Sequence, residues 1–170
     1  MFLDESGVTT AMTRTRARSP RGERVTDQVP RNRGSVTTLL GAMTTSAVVA
    51  MMAVEAGTST DVFESFLRDV LLPQLAPGTT VVMDNLGAHR AKRIAALLHE
   101  HGVRVRFTPP YSPETNPIEM FWGWLKARLR TWQARTVEML DDAVGRAMQE
   151  LPPEIAAAWA AHAGYPRKCP

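Results

Sequence analysis

The chain has 170 residues, 44% of them hydrophobic and 22% charged, with a formal net charge of +3. That length and apolar share suit one folded domain with an ordinary core and exclude a disordered chain or a coiled coil. The mildly basic balance permits a polyanionic partner without requiring one, while the lone cysteine, Cys169, excludes an internal disulfide framework and a cysteine-based zinc site and fits a reducing cytoplasm.

The opening "MFLDESG" has no basic start of the signal-peptide kind and meets acids at Asp4 and Glu5. Met1 to Leu3 predict the end of a short apolar strand that runs into Asp4. Residues 13 to 34 hold Arg14, Arg16, Arg18, Arg21, Arg24, Arg31 and Arg33 among Pro20, Gly22, Pro30 and Gly34. Such a segment predicts an irregular, basic surface. From Ser35 to Val54 no charge occurs over twenty residues, long enough to be weighed as a membrane span. The hydroxyls of Ser35, Thr37, Thr38, Thr44, Thr45 and Ser46 argue instead for two buried strands, Val36–Met43 and Ala47–Val54, joined by a turn at "MTTS".

A helix follows, with Thr60 or Asp61 as its cap, Glu64 returning the bond, and Val62, Phe63, Phe66, Leu67, Val70 and Leu71 as its apolar stripe. Pro73 and Pro77-Gly78 end it. "TTVVMD" is a β-branched run of strand length ending at Asp84. A second helix is expected over Arg90 to His101, with Ile94, Ala95, Leu97 and Leu98 inward and Gly102 as its stop. "VRVRF" alternates at period two, so Val103, Val105 and Phe107 would face a core. After a proline loop comes a helix over Pro117 to Trp132, with Ile118, Phe121, Trp122, Leu125, Leu129 and Trp132 as its core stripe. Further helices are expected in Val137–Leu151 and Glu154–His162. This order implies an α/β fold, a mixed sheet of about five strands with helices on both faces.

Three acids fall at element ends: Asp4, Asp84 and Glu119. If the two strands lie side by side and parallel, both aspartates meet at one sheet edge, where ligands gather in open α/β sheets. The loop "PPYSPETNP" then positions the third. Pro109 and Pro110 disfavour helical geometry, Asn116 suits an N-cap, Pro117 the first helical position, and Glu119 the third. The same pair, Asn116 and Glu119, also fits a plain capping box. Gly123, Lys126 and Arg130 continue from Glu119 along one helix face. They fit either a polyanion backbone crossing the helix or a solvated face. Three carboxylates within about 4 Å would repel by roughly 4 kcal/mol per pair, so cations or protons must neutralise them. Mg²⁺ or Mn²⁺ suits such oxygens, and two ions could drive phosphoryl transfer without a protein nucleophile. No Gly-x-Ser-x-Gly elbow or phosphate-cradling Gly-rich loop is present, which argues against serine hydrolysis and nucleotide hydrolysis.

"LDESG", "VVMDNLGAHR" and "PPYSPETNPIEMFWGWLK" resemble the three motif blocks of bacterial insertion-sequence transposases in the mariner-like DDE superfamily. Asp84 and Glu119 are separated by 34 intervening residues, the spacing typical of that superfamily. "PRGER", "VFESFLRDVLLPQL" and "AHRAKRI" look similar too, so the resemblance spans residues 2 to 132. It implies an RNase H-like fold and a catalytic domain over residues 1–151, followed by a C-terminal helix and tail over 152–170. It implies metal-dependent cutting and joining of DNA strands at transposon ends, in the cytoplasm at the nucleoid, by a homo-oligomer. Asp4, Asp84 and Glu119 take the catalytic and metal-ligand roles. Asn85, His89 and Asn116 fall on motif positions as supporting residues. Turn and cap bonding also fit the two asparagines, and a helix cap or phosphate contact fits the histidine. Arg90, Gly123, Lys126 and Arg130 are candidate DNA contacts, and Tyr111 and Ser112 either touch DNA or brace the loop. Two departures stand out. The helix-turn-helix part usual in the family has no room before Asp4, and the first strand is short. Both suggest the second half of a split transposase whose helix-turn-helix fragment is encoded upstream. The alternative is a truncated remnant that binds DNA or a partner fragment through its arginines.

Overall fold

The structure, a computed structural model, describes residues 1–55, 57–110 and 112–165. Alternating apolar residues build five strands: β1 (Phe2–Thr9), β2 (Val36–Met43), β3 (Val48–Val54), β4 (Thr80–Met83) and β5 (Arg104–Phe107). They form one sheet in the order β3-β2-β1-β4-β5. β1 pairs antiparallel with β2 along its whole length, from Phe2 opposite Met43 to Thr9 opposite Val36. β1 and β4 are parallel, as are β4 and β5. The expected mixed sheet is therefore present.

The first strand differs from expectation. Asp4 does not end it: β1 runs on through Thr9, so the acid is its third residue. The added length comes from β2, whose antiparallel ladder supplies backbone partners to every residue beyond Asp4. On the other side the parallel ladder to β4 holds at Phe2 opposite Val82, with Met1 O accepting from Val82 N at 2.8 Å. It ends two residues short of both aspartates.

Two apolar layers cover the sheet. On one face α1 (Thr60–Ser65), a π-helical turn (Phe66–Leu71), a short 3₁₀ turn (Leu72–Gln74) and α2 (Lys92–Glu100) pack on Leu3, Leu40, Ala42, Val81 and Met83. On the other lies α3 (Ile118–Trp132), backed by α4 (Val137–Gln149) and α5 (Ile155–His162), over Phe2, Val8, Leu39 and Met43. Period-two alternation sends Phe2 and Asp4 to the α3 face and Leu3 and Glu5 to the α1–α2 face.

Four local expectations need correction. Ser59, not Thr60 or Asp61, caps α1, its Oγ accepting from Val62 N at 3.2 Å. Glu64 pairs with Arg68 and Arg93 instead of returning a cap bond. Ala95 of α2 is exposed, because Ile94, Leu97 and Leu98 already fill the narrow contact with the sheet. Phe107 is 44% exposed, at the end of β5, the edge strand of the sheet. Residues 14 to 35 are exposed and without regular structure, as expected. Among the described residues no helix is long and apolar enough to cross a membrane.

Candidate active site

Where the β1–β4 ladder ends, a pocket of about 550 Å³ opens, lined by Asp4, Asp84, Asn85, Leu86, Thr108, Pro109, Pro110, Ser112, Pro113, Asn116 and Glu119. The acids reach it from three elements. Asp4 comes from within β1, Asp84 follows directly on β4, and Glu119 stands in the first turn of α3. The helix cannot begin earlier, because Pro113–Thr115 form a 3₁₀ turn and Asn116 is extended before Pro117. Thr115 Oγ1 donates to Ser112 O at 2.7 Å, and Tyr165 Oη donates to Thr115 O at 3.0 Å, so the loop is braced from within and from beyond α5.

The environment of Asp4 is the most polarised in the site. Burial, then the charge of Glu119, and more weakly those of Glu5 and Asp84, push its carboxyl up to about 7, partly offset by a bond from the Glu5 backbone. Trp122 Nε1 donates to Asp4 Oδ2 at 3.1 Å, a polar use of an otherwise buried indole. Gly41 makes this possible. It sits opposite Asp4 in register, and a Cβ there would lie 2.8 Å from Cη2 and 3.0 Å from Cζ2 of Trp122. Gly41→Ala is therefore expected to push the ring off Asp4 and cost about 1–3 kcal/mol, the usual range for overpacking a filled core. The readouts are a lower thermal midpoint and altered indole emission; an unchanged midpoint would refute the close approach.

His89 behaves as neither a helix cap nor a free phosphate contact. Its ring is fully buried, with Nδ1 2.7 Å from Asp84 Oδ1 and Nε2 2.9 Å from Glu5 Oε2. Ionised carboxylates only accept, so both ring nitrogens donate. Burial pulls the imidazole pKa down, but the bond to Glu5 and the charges of Glu5 and Asp84 outweigh it and raise it overall. The ring also lies 4.2 Å from that of Phe63. Asp84 Oδ1 accepts a second bond from Leu86 N at 2.9 Å.

Asn116 does not cap α3 with its side chain, as the cap and capping-box readings required. Its backbone O accepts from Glu119 N at 3.1 Å, while Nδ2 reaches Leu3 O at 3.5 Å and the buried Oδ1 has no partner. β1 passes close enough to draw the amide away from the helix end. Asn85 Nδ2 donates to Thr108 O at 2.7 Å, tying the loop after β4 to the end of β5. Ser112 Oγ donates to Pro110 O at 3.4 Å, which favours bracing; Tyr111 and Cys169 lie outside the described residues. Gly123 is exposed beside Glu119 on α3, and Lys126 and Arg130 are half-buried without an ion-pair partner among the described residues. Arg90, likewise unpaired, lines a separate cavity of about 160 Å³ with His89 and Phe107.

Glu5 and the Trp122 bond escaped the sequence reading, though each left a signal. An acid alternating with Leu3 occupies an apolar face and needs a partner, and a buried indole N–H needs an acceptor. Among the described residues no group of three or more His, Cys, Asp or Glu side chains is arranged to hold a metal ion as it stands. The donor set nevertheless fits a hard divalent cation. It offers the carboxylate oxygens of Asp4, raised by burial and then by the charge of Glu119, with those of Asp84 and Glu119 and the unpartnered, neutral Oδ1 of Asn116.

The family model described as DDE superfamily endonuclease matches residues 1–141. No curated protein matches the chain in sequence. Among solved structures, the Mos1 transposase paired-end complex with left transposon end is similar over 96% of this chain and 55% of that one, with TM-score 0.73 and 15% identity. The mariner Mos1 paired-end complex with Mg gives 98% and 56%, with TM-score 0.72 and 17% identity. The catalytic domain of Mos1 mariner transposase gives 94% and 74%, with TM-score 0.62 and 14% identity. The likeness is one of fold, RNase H-like, and the chain spans about half the length of the paired-end proteins.

Proposed function

This chain belongs to the DDE superfamily of endonucleases, and we propose that it is the catalytic part of a bacterial insertion-sequence transposase, cutting DNA strands at transposon ends and joining them to target DNA. The observation that carries this reading is the meeting of Asp4, Asp84 and Glu119 in one pocket from three separate elements. We assign residues 1–151 to the catalytic unit and 152–170 to an accessory helix and tail. The Mos1 structures named as complexes with Mn or Mg, and as complexes with a transposon end, support a divalent ion and DNA as the partners here.

In this reading Asp4, Asp84 and Glu119 would hold two Mg²⁺ or Mn²⁺ ions, which would supply activation of a water or a 3′-hydroxyl and charge stabilisation at the leaving oxygen of a phosphodiester. The protein supplies placement. β1 and β4 set the two aspartates at one level of the sheet, and the proline loop delivers Glu119 from the side. Trp122 fixes one oxygen of Asp4 and Asn85 closes the pocket wall onto Thr108. Lys126 and Arg130, without an ion-pair partner among the described residues and on the face of α3 that begins with Glu119, attract the phosphate backbone, and exposed Gly123 lets it approach. Arg90, exposed at the separate cavity with His89 and Phe107, offers a further cation to the phosphate backbone. Recognition of the ends and assembly into a homo-oligomer in the cytoplasm complete the proposal.

Incubating the full chain with supercoiled plasmid tests it. Nicked circles are expected with Mn²⁺ or Mg²⁺ and none with EDTA. Equal nicking in EDTA would exclude the metal-dependent mechanism, and salt-sensitive binding without nicking under any metal would favour a DNA-binding remnant.

A further inference from the structure

We propose that Glu5 and His89 are positioning residues for Asp84: the His89 ring, held from behind by Glu5, commits Oδ1 of Asp84 and leaves Oδ2 as the oxygen available to a cation. This rests on the metal-dependent reading above and extends it to two residues outside the acid triad.

Three observations carry it. His89 is completely buried, whereas the side chain of Asp84 is 47% exposed and that of Glu5 14% exposed. The ring thus links a solvent-facing carboxylate to one set well inside. Packing against Phe63 alone would be served as well by an apolar residue, and would spare the desolvation of two ring nitrogens.

The link also crosses the sheet. Glu5 lies on the α1–α2 face and its neighbour Asp4 on the α3 face, so β1 contributes one acid to the pocket and the next to the support behind it. Glu5 and His89 are 84 positions apart in the chain, and only the parallel placement of β1 beside β4 brings them together.

Finally, two donors converge on the same oxygen. His89 Nδ1 and Leu86 N both bond Oδ1 of Asp84, and Oδ2 accepts no hydrogen bond among the described residues. Asp84 follows the last residue of a four-residue strand, where a carboxylate would otherwise rotate freely. Partners of this kind behind a ligand typically change metal affinity by about 10–100-fold when removed.

The experiment is calorimetric titration of Mn²⁺ into the full chain, with thermal midpoints measured in EDTA. His89→Asn places an amide N–H near the position of Nδ1 and keeps the bond to Asp84. His89→Gln reaches the position of Nε2 and keeps only the bond to Glu5. Mn²⁺ binding is expected to weaken about 10–100-fold in His89→Gln and much less in His89→Asn. Equal losses in both variants, or wild-type affinity in His89→Gln, would overturn the proposal, because a merely space-filling role would spare His89→Gln, the closer match to histidine in volume. Should either variant fail to fold, Glu5→Gln retains the volume and an acceptor for the ring. It is expected to weaken Mn²⁺ binding several-fold while still unfolding cooperatively in EDTA, and unchanged affinity there overturns the proposal. Wild-type protein that takes up no Mn²⁺ would instead remove the metal-dependent reading itself.

Discussion

Asp84→Ala is expected to reduce metal-dependent nicking by at least about 10³-fold while leaving retention of DNA unchanged. The size follows from its proposed role. A divalent ion at a phosphodiester contributes several kcal/mol of charge stabilisation, and each 1.36 kcal/mol is about tenfold in rate. The variant should remain folded, since Asp84 is half-exposed and follows β4 instead of lying within it. His89 keeps its bond to Glu5. Binding should survive because Lys126, Arg130 and the arginines between residues 13 and 34 are untouched. Asp141→Ala, which removes an exposed acid on α4, serves as the control and should nick as the wild type does. Nicking that persists in Asp84→Ala would show that the pocket is not where the reaction occurs.

The second large effect is on stability. Asp4 is held at about 7 against an ordinary 3.8. Between those values the folded chain keeps a proton that the unfolded chain releases, so stability falls as pH rises from about 4 to about 7. Roughly 4 kcal/mol is lost across that window, at 1.36 kcal/mol per pKa unit. His89 acts in the same direction. Its raised pKa stabilises the folded state fully below about 6.5, and that contribution disappears as pH climbs through the folded value. The Asp4→Asn variant, still able to accept from Trp122, should be more stable than wild type at pH 8 without metal and no more stable at pH 4. Mn²⁺ should raise the thermal midpoint of the wild type at pH 8 and have little effect at pH 5, where Asp4 is protonated. Parallel midpoint–pH curves for wild type and Asp4→Asn would contradict the crowding of carboxylates around Asp4.

Much of the fold was legible because it is local. β2 and β3 appear where the charge-free run and its turn placed them, and β4 ends at Met83, directly before Asp84. The spacing of Phe121, Trp122, Leu125 and Leu129 marked the buried face of α3. The errors share a different origin. Asp4 looks like a strand end in the sequence because the three residues before it give no hint of how far β2 pairs beyond it. Phe107 alternates correctly but lies at the end of an edge strand, and Asn116 has cap chemistry but is drawn to Leu3 across the pocket. In each case the deciding neighbour is remote in sequence.

The site divides in the same way. As candidates, Asp84 and Glu119 are legible in short stretches, one by the end of a β-branched run and the other by a proline-guided helix start, whereas Asp4 lies within β1 and its element-end reading does not hold. Their common pocket, the Trp122 bond that Gly41 permits and the Glu5–His89–Asp84 link arise only once β1 lies between β2 and β4. Local stereochemistry writes periodicity and turns into the chain. Which buried polar groups become partners depends on a packing of distant segments that no stretch contains by itself.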